Sequence, residues 1–438
     1  MGDQPHPQPR IPQPRKGGTP AAHGRTPQPP LVIDAEGRRK YAEAEELRAR
    51  GPATLVELPA GIRAWAVSSL DLLKELLRDP RVSKDPRAHW PAWQRGEFRD
   101  TWIRSWVDVT NMFSSYGPEH RRLRKLVAPA FTLRRTEALR PRVEEITAGL
   151  LDAMAAEPAG APVDLRSAYA HPLPMLVICE LFGIPEEARG EVARLIERIM
   201  DTTATPEEAA RTAADVQAAF GALVAAKREQ PGDDLTSLLV SARDEDGSSL
   251  SEAELMDTLL LVVGAGHETT VNLIGNAVHA LLTHPEQLRA VLAGEVTWDD
   301  VIEETLRWAP SIASLPLRYA VEDIPLPDGT VIGQGDPILA TYAAAGRDPG
   351  RHGADAGEFD VRREDTEHLA FGHGVHFCLG ASLARLEART ALPALFSRFP
   401  GLRFAVPPEE IEQVSSFIAH GYASLPVQLR TADAPAPA

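Results

Sequence analysis

The chain reads as a mainly α-helical protein with a small β-rich lobe. Three observations predict this. Segments with apolar residues three and four apart fill most of the sequence after Ser69. Two short runs of strand-forming residues precede them, and the second alternates apolar with polar. The composition, 43% hydrophobic and 25% charged over 438 residues, is that of a globular protein large enough for an extensive core.

The elements follow in order. Residues 1–30 are rich in Pro, Gly and Arg and predict a disordered leader with no apolar signal core. Met1-Gly2 hints at myristoylation, but Pro5 and His6 stand where a small hydroxyl residue is wanted. Residues 31–430 read as one globular unit without repeats or a second linker, and 431–438 as an unstructured tail. Strands are predicted over 53–58 and 62–67, punctuated by Gly51-Pro52 and Pro59-Ala-Gly61. Helices are predicted over 70–77, 118–127, 134–154, 172–182, 186–200 and 206–228. Residues 79–113 hold Trp90, Trp93, Trp102 and Trp106, four of the seven tryptophans, with little periodicity. They either pack a long loop or form a lid over an apolar ligand. Ser251 and Glu254 make a capping box that starts a helix running to Thr283, where His284-Pro285 ends it. Its length is on the order of 50 Å. Leu259-Leu-Leu-Val-Val263 makes it apolar nearly all round, hence buried. A last helix is predicted over 381–399.

Composition also excludes functions. Two cysteines rule out a disulfide framework and fit a reducing cytoplasm. No apolar run reaches the roughly 18 residues of a membrane span. A net charge of −16 argues against nucleic-acid binding. The basic stretch His120-Arg-Arg-Leu-Arg-Lys125 is then either a solvated helix face or a docking patch for an acidic partner.

The chemistry concentrates in two motifs. The run Phe371-Gly-His-Gly-Val-His-Phe-Cys378-Leu-Gly380 puts one cysteine in a glycine-rich loop directly ahead of a helix. Unpaired N–H groups and the positive dipole end favour a thiolate there. A single thiolate so held suits the axial position of a haem iron. Cys179, in an apolar run without such a loop, reads as a buried structural residue. The second motif, Ala265-Gly-His-Glu-Thr-Thr270, puts an acid in the middle of the buried helix, which is costly unless the acid is paired or functional. Gly264, Gly266 and the threonines favour a local kink that opens a groove.

These residues resemble the cytochrome P450 family. Phe371, Gly374, His376, Cys378 and Gly380 fill every fixed position of its haem loop, and residues 265–270 match its oxygen-side helix. The resemblance covers about 31–429 and implies the P450 fold, haem b (iron protoporphyrin IX) and Cys378 as the iron ligand. It implies that Thr269 steadies oxygen and Glu268 feeds protons, with His267 at a variable position near the pocket. It implies propionate partners at His120, Arg124, Arg318 and His376, with Phe371 and Gly372 shaping the loop against the cofactor. Glu304 and Arg307 match the family's buried structural pair. In Ala345-Gly346-Arg347-Asp348-Pro349, Gly346 stands where many bacterial members have Asn. It should loosen that turn without touching chemistry.

The implied reaction is monooxygenation of an apolar substrate with O2. Electrons come from NAD(P)H through ferredoxin reductase and ferredoxin, docking near Arg121, Arg122, Lys125 and the Cys378 loop. The chain looks like soluble, cytoplasmic, monomeric actinobacterial members, which often hydroxylate steroids, macrolides or other polyketide-like molecules. A steroid or similarly rigid polycycle is the expected substrate. Candidate pocket residues are the tryptophan segment, Val263, Ala265, His267, 312–315, Phe417 and Ile418. The alternatives are a peroxide-driven peroxygenase, a non-catalytic haem sensor or electron carrier, and a non-haem carrier of apolar ligands.

Overall fold

A computed structural model describes residues 29–158, 160–200, 206–244 and 246–429. The leader and tail expected at 1–30 and 431–438 lie almost entirely outside the described residues.

Six strands form the main sheet: β1 (Leu31–Val32), β2 (Ala53–Leu58), β3 (Ile62–Val67), β4 (Val82–Ser83), β5 (Leu315–Ala320) and β6 (Pro337–Ala340). Their order is β1-β2-β3-β6-β5-β4. β2 and β3 form an antiparallel hairpin with Leu55 opposite Trp65. Its turn carries Ala60 and Gly61 at φ 68° and 74°. β3 then pairs β6 in parallel, which ties the N-terminal hairpin to strands far along the chain. The hairpin falls on its predicted boundaries because alternation marks a half-buried strand. The β4, β5 and β6 partners lie too far apart in sequence for local pattern to reveal the pairing. Two smaller sheets have three and two strands.

The principal helices are α1 (Lys40–Arg50), α2 (Leu70–Arg78), α3 (Gly117–Val127), α4 (Arg140–Ala155), α5 (Pro172–Phe182), α6 (Glu186–Met200), α7 (Pro206–Glu229), α8 (Glu252–Thr283), α9 (Trp298–Trp308) and α10 (Ala381–Arg398). α1 was not expected. The segment predicted as one helix over 134–154 is two, Leu133–Ala138 and α4. Pro141 explains the break: it has no N–H to donate, and its ring clashes with the carbonyl one turn earlier, so it starts a helix rather than continuing one.

α8 is the axis of the helical core and packs against α5, α9 and α10. Its capping box forms as expected: the Ser251 hydroxyl accepts from the Glu254 N–H at 3.2 Å, and the Ser251 N–H donates to the Glu254 carboxylate at 2.8 Å. Among the described residues no helix is long and apolar enough to cross a membrane.

The tryptophan segment is packing, at least at its start. The Trp90 ring stacks on Trp93, Phe98 and Tyr319 at centroid distances of 5.9, 5.6 and 5.4 Å. Trp90 and Trp93 are buried against the main sheet. Trp102 is half-buried, donates to the Pro59 carbonyl at 2.9 Å and meets Phe417 edge-on. Such large buried rings resist being lifted away, so Trp90 and Trp93 do not form a lid.

Candidate active site

The cysteine loop is shaped by two glycines in the left-handed region, Gly372 at φ 70° and Gly374 at φ 69°. A Cβ on Gly374 would come within 2.7 Å of the Leu77 carbonyl oxygen in α2, so only glycine fits. The Cys378 N–H donates to the Phe371 carbonyl at 2.9 Å and closes the turn. Arg385 lies over the Phe371 ring, 4.6 Å from its centroid.

Cys378 lies just before α10 and is exposed. Burial has the largest influence on its thiol and pushes the pKa up. The backbone N–H of Gly380, the Arg124 and Arg385 guanidiniums and the N–H of Ala381 pull it down. Burial outweighs them, so the thiol lies above its ordinary value. A coordinated cation would complete the ionisation.

The middle of α8 is open. Gly264 and Ala265 are exposed and Glu268 and Thr269 half-buried, between turns of the same helix that are fully buried. A Cβ on Gly264 would meet nothing within 4 Å. The hydrogen-bonded helix nonetheless runs through this segment without a break. Both threonine hydroxyls fold back one turn, Thr269 onto the Ala265 carbonyl at 2.7 Å and Thr270 onto the Gly266 carbonyl at 3.0 Å. The Ser311 hydroxyl donates to the Thr269 carbonyl at 2.6 Å.

Glu268 is not solitary. Arg166 donates to both its oxygens, at 2.8 and 3.0 Å, and to the Asn272 amide oxygen at 3.2 Å. Nothing around Arg166 in the sequence signals this pairing. His267, expected near the pocket, points the other way. It is 1% exposed, and its Nε2 lies 3.0 Å from the His171 carbonyl oxygen. Val263 is likewise core rather than pocket. Residues 312–315 and 417–418 do come together: the Ala313 N–H donates to the Ile418 carbonyl at 2.7 Å.

Beside the cysteine loop lies a cluster of basic groups. The His120 and His376 rings are 4.1 Å apart, and Arg124 donates to the Phe377 carbonyl at 2.7 Å. Arg318 is buried on β5, with one guanidinium nitrogen 3.4 Å from the Tyr342 hydroxyl and another without a partner. His120 Nε2 and Lys84 Nζ are also buried without partners. Burial, helped by Arg124 and Arg121, lowers the His120 pKa to about 4. His376 is lowered by burial and then by Lys84, His120, Arg318 and Arg124, all basic. Buried donors and charges left unpaired are costly, and such a group waits for an anion.

Behind the site, Glu304 and Arg307 are fully buried and form a two-pronged pair at 2.6 and 2.7 Å. Arg307 also donates to the carbonyls of Gly346, Ala356 and Glu358 at 2.7–2.8 Å. The pair is scaffold, as expected. Gly346 is not the neutral departure it looked. A Cβ there would lie 2.1 Å from the Arg307 carbonyl oxygen, so this close approach needs glycine. Gly346→Ala is expected to cost about 1–3 kcal/mol of stability through overpacking, read as a lower unfolding midpoint.

Comparison with known proteins decides the family. A profile described as Cytochrome P450 matches residues 181–294 and 297–418. The 2-hydroxy-5-methyl-1-naphthoate 7-hydroxylase of Streptomyces carzinostaticus is 44% identical over 402 residues, 92% of this chain and 98% of that protein. The chain belongs to the cytochrome P450 family. The P450 monooxygenase PikC of Streptomyces venezuelae is 43% identical, over 93% of this chain and 96% of its own. Among solved structures, CYP154A1 from Streptomyces coelicolor superposes with a TM-score of 0.83 at 54% identity, covering 91% of this P450 and all of that chain. Testosterone-bound CYP154C4 from a Streptomyces species gives 0.86 at 44% identity, covering 92% and 99%. This P450 is therefore a monooxygenase that uses O2, external electron donors and an apolar substrate. The readings as a non-catalytic sensor or a non-haem carrier fall away.

The residues present fit the family's haem. The partnerless nitrogens of His120 and Arg318 would suit its propionates, and Cys378 offers a free thiol beside them.

Proposed function

We propose that this P450 holds haem b with Cys378 as its iron ligand and oxidises a rigid, fused-ring apolar molecule with electrons from a ferredoxin. The observation that carries the reading is the cluster of two arginines and two imidazoles at His120, Arg124, Arg318 and His376, joined to the cysteine loop by the Arg124 to Phe377 hydrogen bond. Bound haem would supply the activation of O2. Phe371 and Gly372 would shape the loop, the Arg124 and Arg318 guanidiniums would offset the two carboxylates, and the His120 and His376 imidazoles would offer them hydrogen bonds.

The chain's own contribution to chemistry is proton handling. Thr269 lies on the open face of α8, its hydroxyl parked on the Ala265 carbonyl. Rotation frees that hydroxyl to hydrogen-bond into the open space. Glu268 can pass protons toward it only after loosening from Arg166. Thr269→Ala is expected to let electron consumption continue while product per electron pair falls at least about tenfold. Parallel assays of NAD(P)H use and product check this, and unchanged coupling would remove Thr269 from the mechanism.

Two relatives support a fused-ring substrate: one is named for a naphthoate, the other was solved with testosterone. A macrolactone is the second reading, because the 6-deoxyerythronolide B hydroxylase of Saccharopolyspora erythraea is 40% identical over 92% of this chain. Optical titration of the haem protein with steroids, fused-ring aromatics, macrolides and fatty acids tests the choice. A high-spin shift with fused rings alone supports the first reading, and one with macrolides alone replaces it.

The ferredoxin face is proposed around Val375 and Phe377, which are 58% and 42% exposed, with Arg121 and Lys125 exposed at its edge. Arg122 is dropped from the docking set because it is tied to Glu119 and to Glu254 at the start of α8. Arg121→Glu with Lys125→Glu is expected to slow reduction on the order of tenfold at low salt, with the difference closing as salt rises. Stopped-flow reduction measures it, and equal rates at low salt would place the partner elsewhere.

A further inference from the structure

Lys84 has no role in the motifs above. It follows β4, is 4% exposed, and its ammonium has neither a hydrogen-bond acceptor nor a carboxylate partner among the described residues. What it has is the face of Phe113, with Nζ 3.5 Å from the ring centroid. A ring face compensates a buried ammonium only in part.

Its neighbours make the burial harder to explain as packing. β4 pairs antiparallel with β5, Val82 opposite Ala320 and Ser83 opposite Tyr319. Continuing that register brings Lys84 to Arg318. Like charges facing each other across a strand pair repel, and the Arg318 charge does depress the Lys84 pKa, after burial itself. Lys84 also acts on His376 in the cysteine loop. Three partnerless nitrogens therefore gather from three elements: Lys84 Nζ after β4, Arg318 Nη1 on β5 and His120 Nε2 on α3. Two buried basic groups without an acid between them favour loss of a proton unless an anion joins them, and an anion lets both stay charged.

We propose that Lys84 is a further cofactor-binding residue, its ammonium holding a haem propionate alongside Arg318. This rests on the haem reading above. Two consequences follow. The ammonium slows loss of the cofactor, because a charge-assisted hydrogen bond is broken when it leaves. It also favours the reduced iron, because a nearby cation stabilises the added electron.

The test compares wild type with Lys84→Met and Lys84→Arg as haem proteins. Transfer of haem to excess apomyoglobin and the iron midpoint potential are both measured. Lys84→Met is expected to release haem about tenfold faster, in line with losing a hydrogen bond between charged groups. Its midpoint potential is expected to fall, and Lys84→Arg is expected to restore both. Should Lys84→Met not fold, Lys84→Gln makes the same comparison. Faster release with an unmoved potential would indicate a packing defect and overturn the proposal. So would an unchanged release rate, or an arginine variant that restores neither. A wild-type protein that takes up no haem would overturn the cofactor reading and this proposal with it. A wild type that holds haem no better than Lys84→Met would overturn this proposal alone.

Discussion

Arg307→Ala is expected to leave little folded haem protein at growth temperature. The guanidinium meets five acceptors: both oxygens of Glu304 and the carbonyls of Gly346, Ala356 and Glu358. Both members of the pair have side chains at 0% exposure. Removing one leaves a buried carboxylate whose remaining contacts are the Asp360 N–H at 2.8 Å and Arg363 at 3.6 Å. Breaking a buried pair this way costs about 3–5 kcal/mol. Against a total stability of about 5–15 kcal/mol, that is a large fraction. The three carbonyls also tie the segment around 346–358 to α9, and that tie is lost with the guanidinium. Arg307→Lys is expected to recover only part, because one ammonium cannot reproduce a planar fork. Glu304→Ala combined with Arg307→Ala is expected to cost less than the sum of the two single changes, since neither charge is then stranded. Unfolding midpoints and haem content of the purified variants measure this. A single variant within about 1 kcal/mol of wild type would show the pair to be dispensable.

Much of this architecture was legible in sequence because it is written locally. The capping box at Ser251 and Glu254 fixed the start of α8, and His284-Pro285 its end. Alternation gave the β2–β3 hairpin, and the spacing around Cys378 gave the loop and its helix. What was not legible depends on chain segments that meet only in the fold. Arg166 and Glu268 are 102 positions apart, and an arginine in a short turn carries no mark of its partner. Lys84 looks like any surface lysine until β4 pairs with β5 and buries it. Gly346 looks like a loosened turn until the Arg307 backbone is laid against it. His267 shares a motif with catalytic candidates, but it stands two positions, about 200° of rotation, from Ala265 and Thr269, which turns it away from the open face. The thiol of Cys378 is the subtlest case. The sequence shows the N–H groups that stabilise negative charge and hides the burial that opposes them.

That opposition sets the outcome of Cys378→Ser, which is expected to abolish monooxygenation to background while leaving the fold intact. Sulfur and oxygen differ little in size, and the loop is held by other bonds, the Cys378 N–H to the Phe371 carbonyl and Arg124 to the Phe377 carbonyl. Neither involves the side chain. The chemical difference is acidity. Burial already raises the thiol, and the groups pulling it back fall short of ionising it without a cation. A hydroxyl starts far less acidic and stays protonated in the same surroundings. The variant thus keeps the basic cluster that would hold the cofactor's carboxylates but loses the thiol that would serve as its electron-rich ligand. Haem uptake should therefore weaken rather than vanish, and the thiolate signature in the carbon monoxide difference spectrum should disappear. Cys179→Ser is the matched control. Cys179 is fully buried in α5 with its pKa pushed up to about 11, so its replacement should cost stability and leave that signature untouched. If the signature instead survived in Cys378→Ser and was lost in Cys179→Ser, the ligand assignment would be reversed, and with it the reading of the loop.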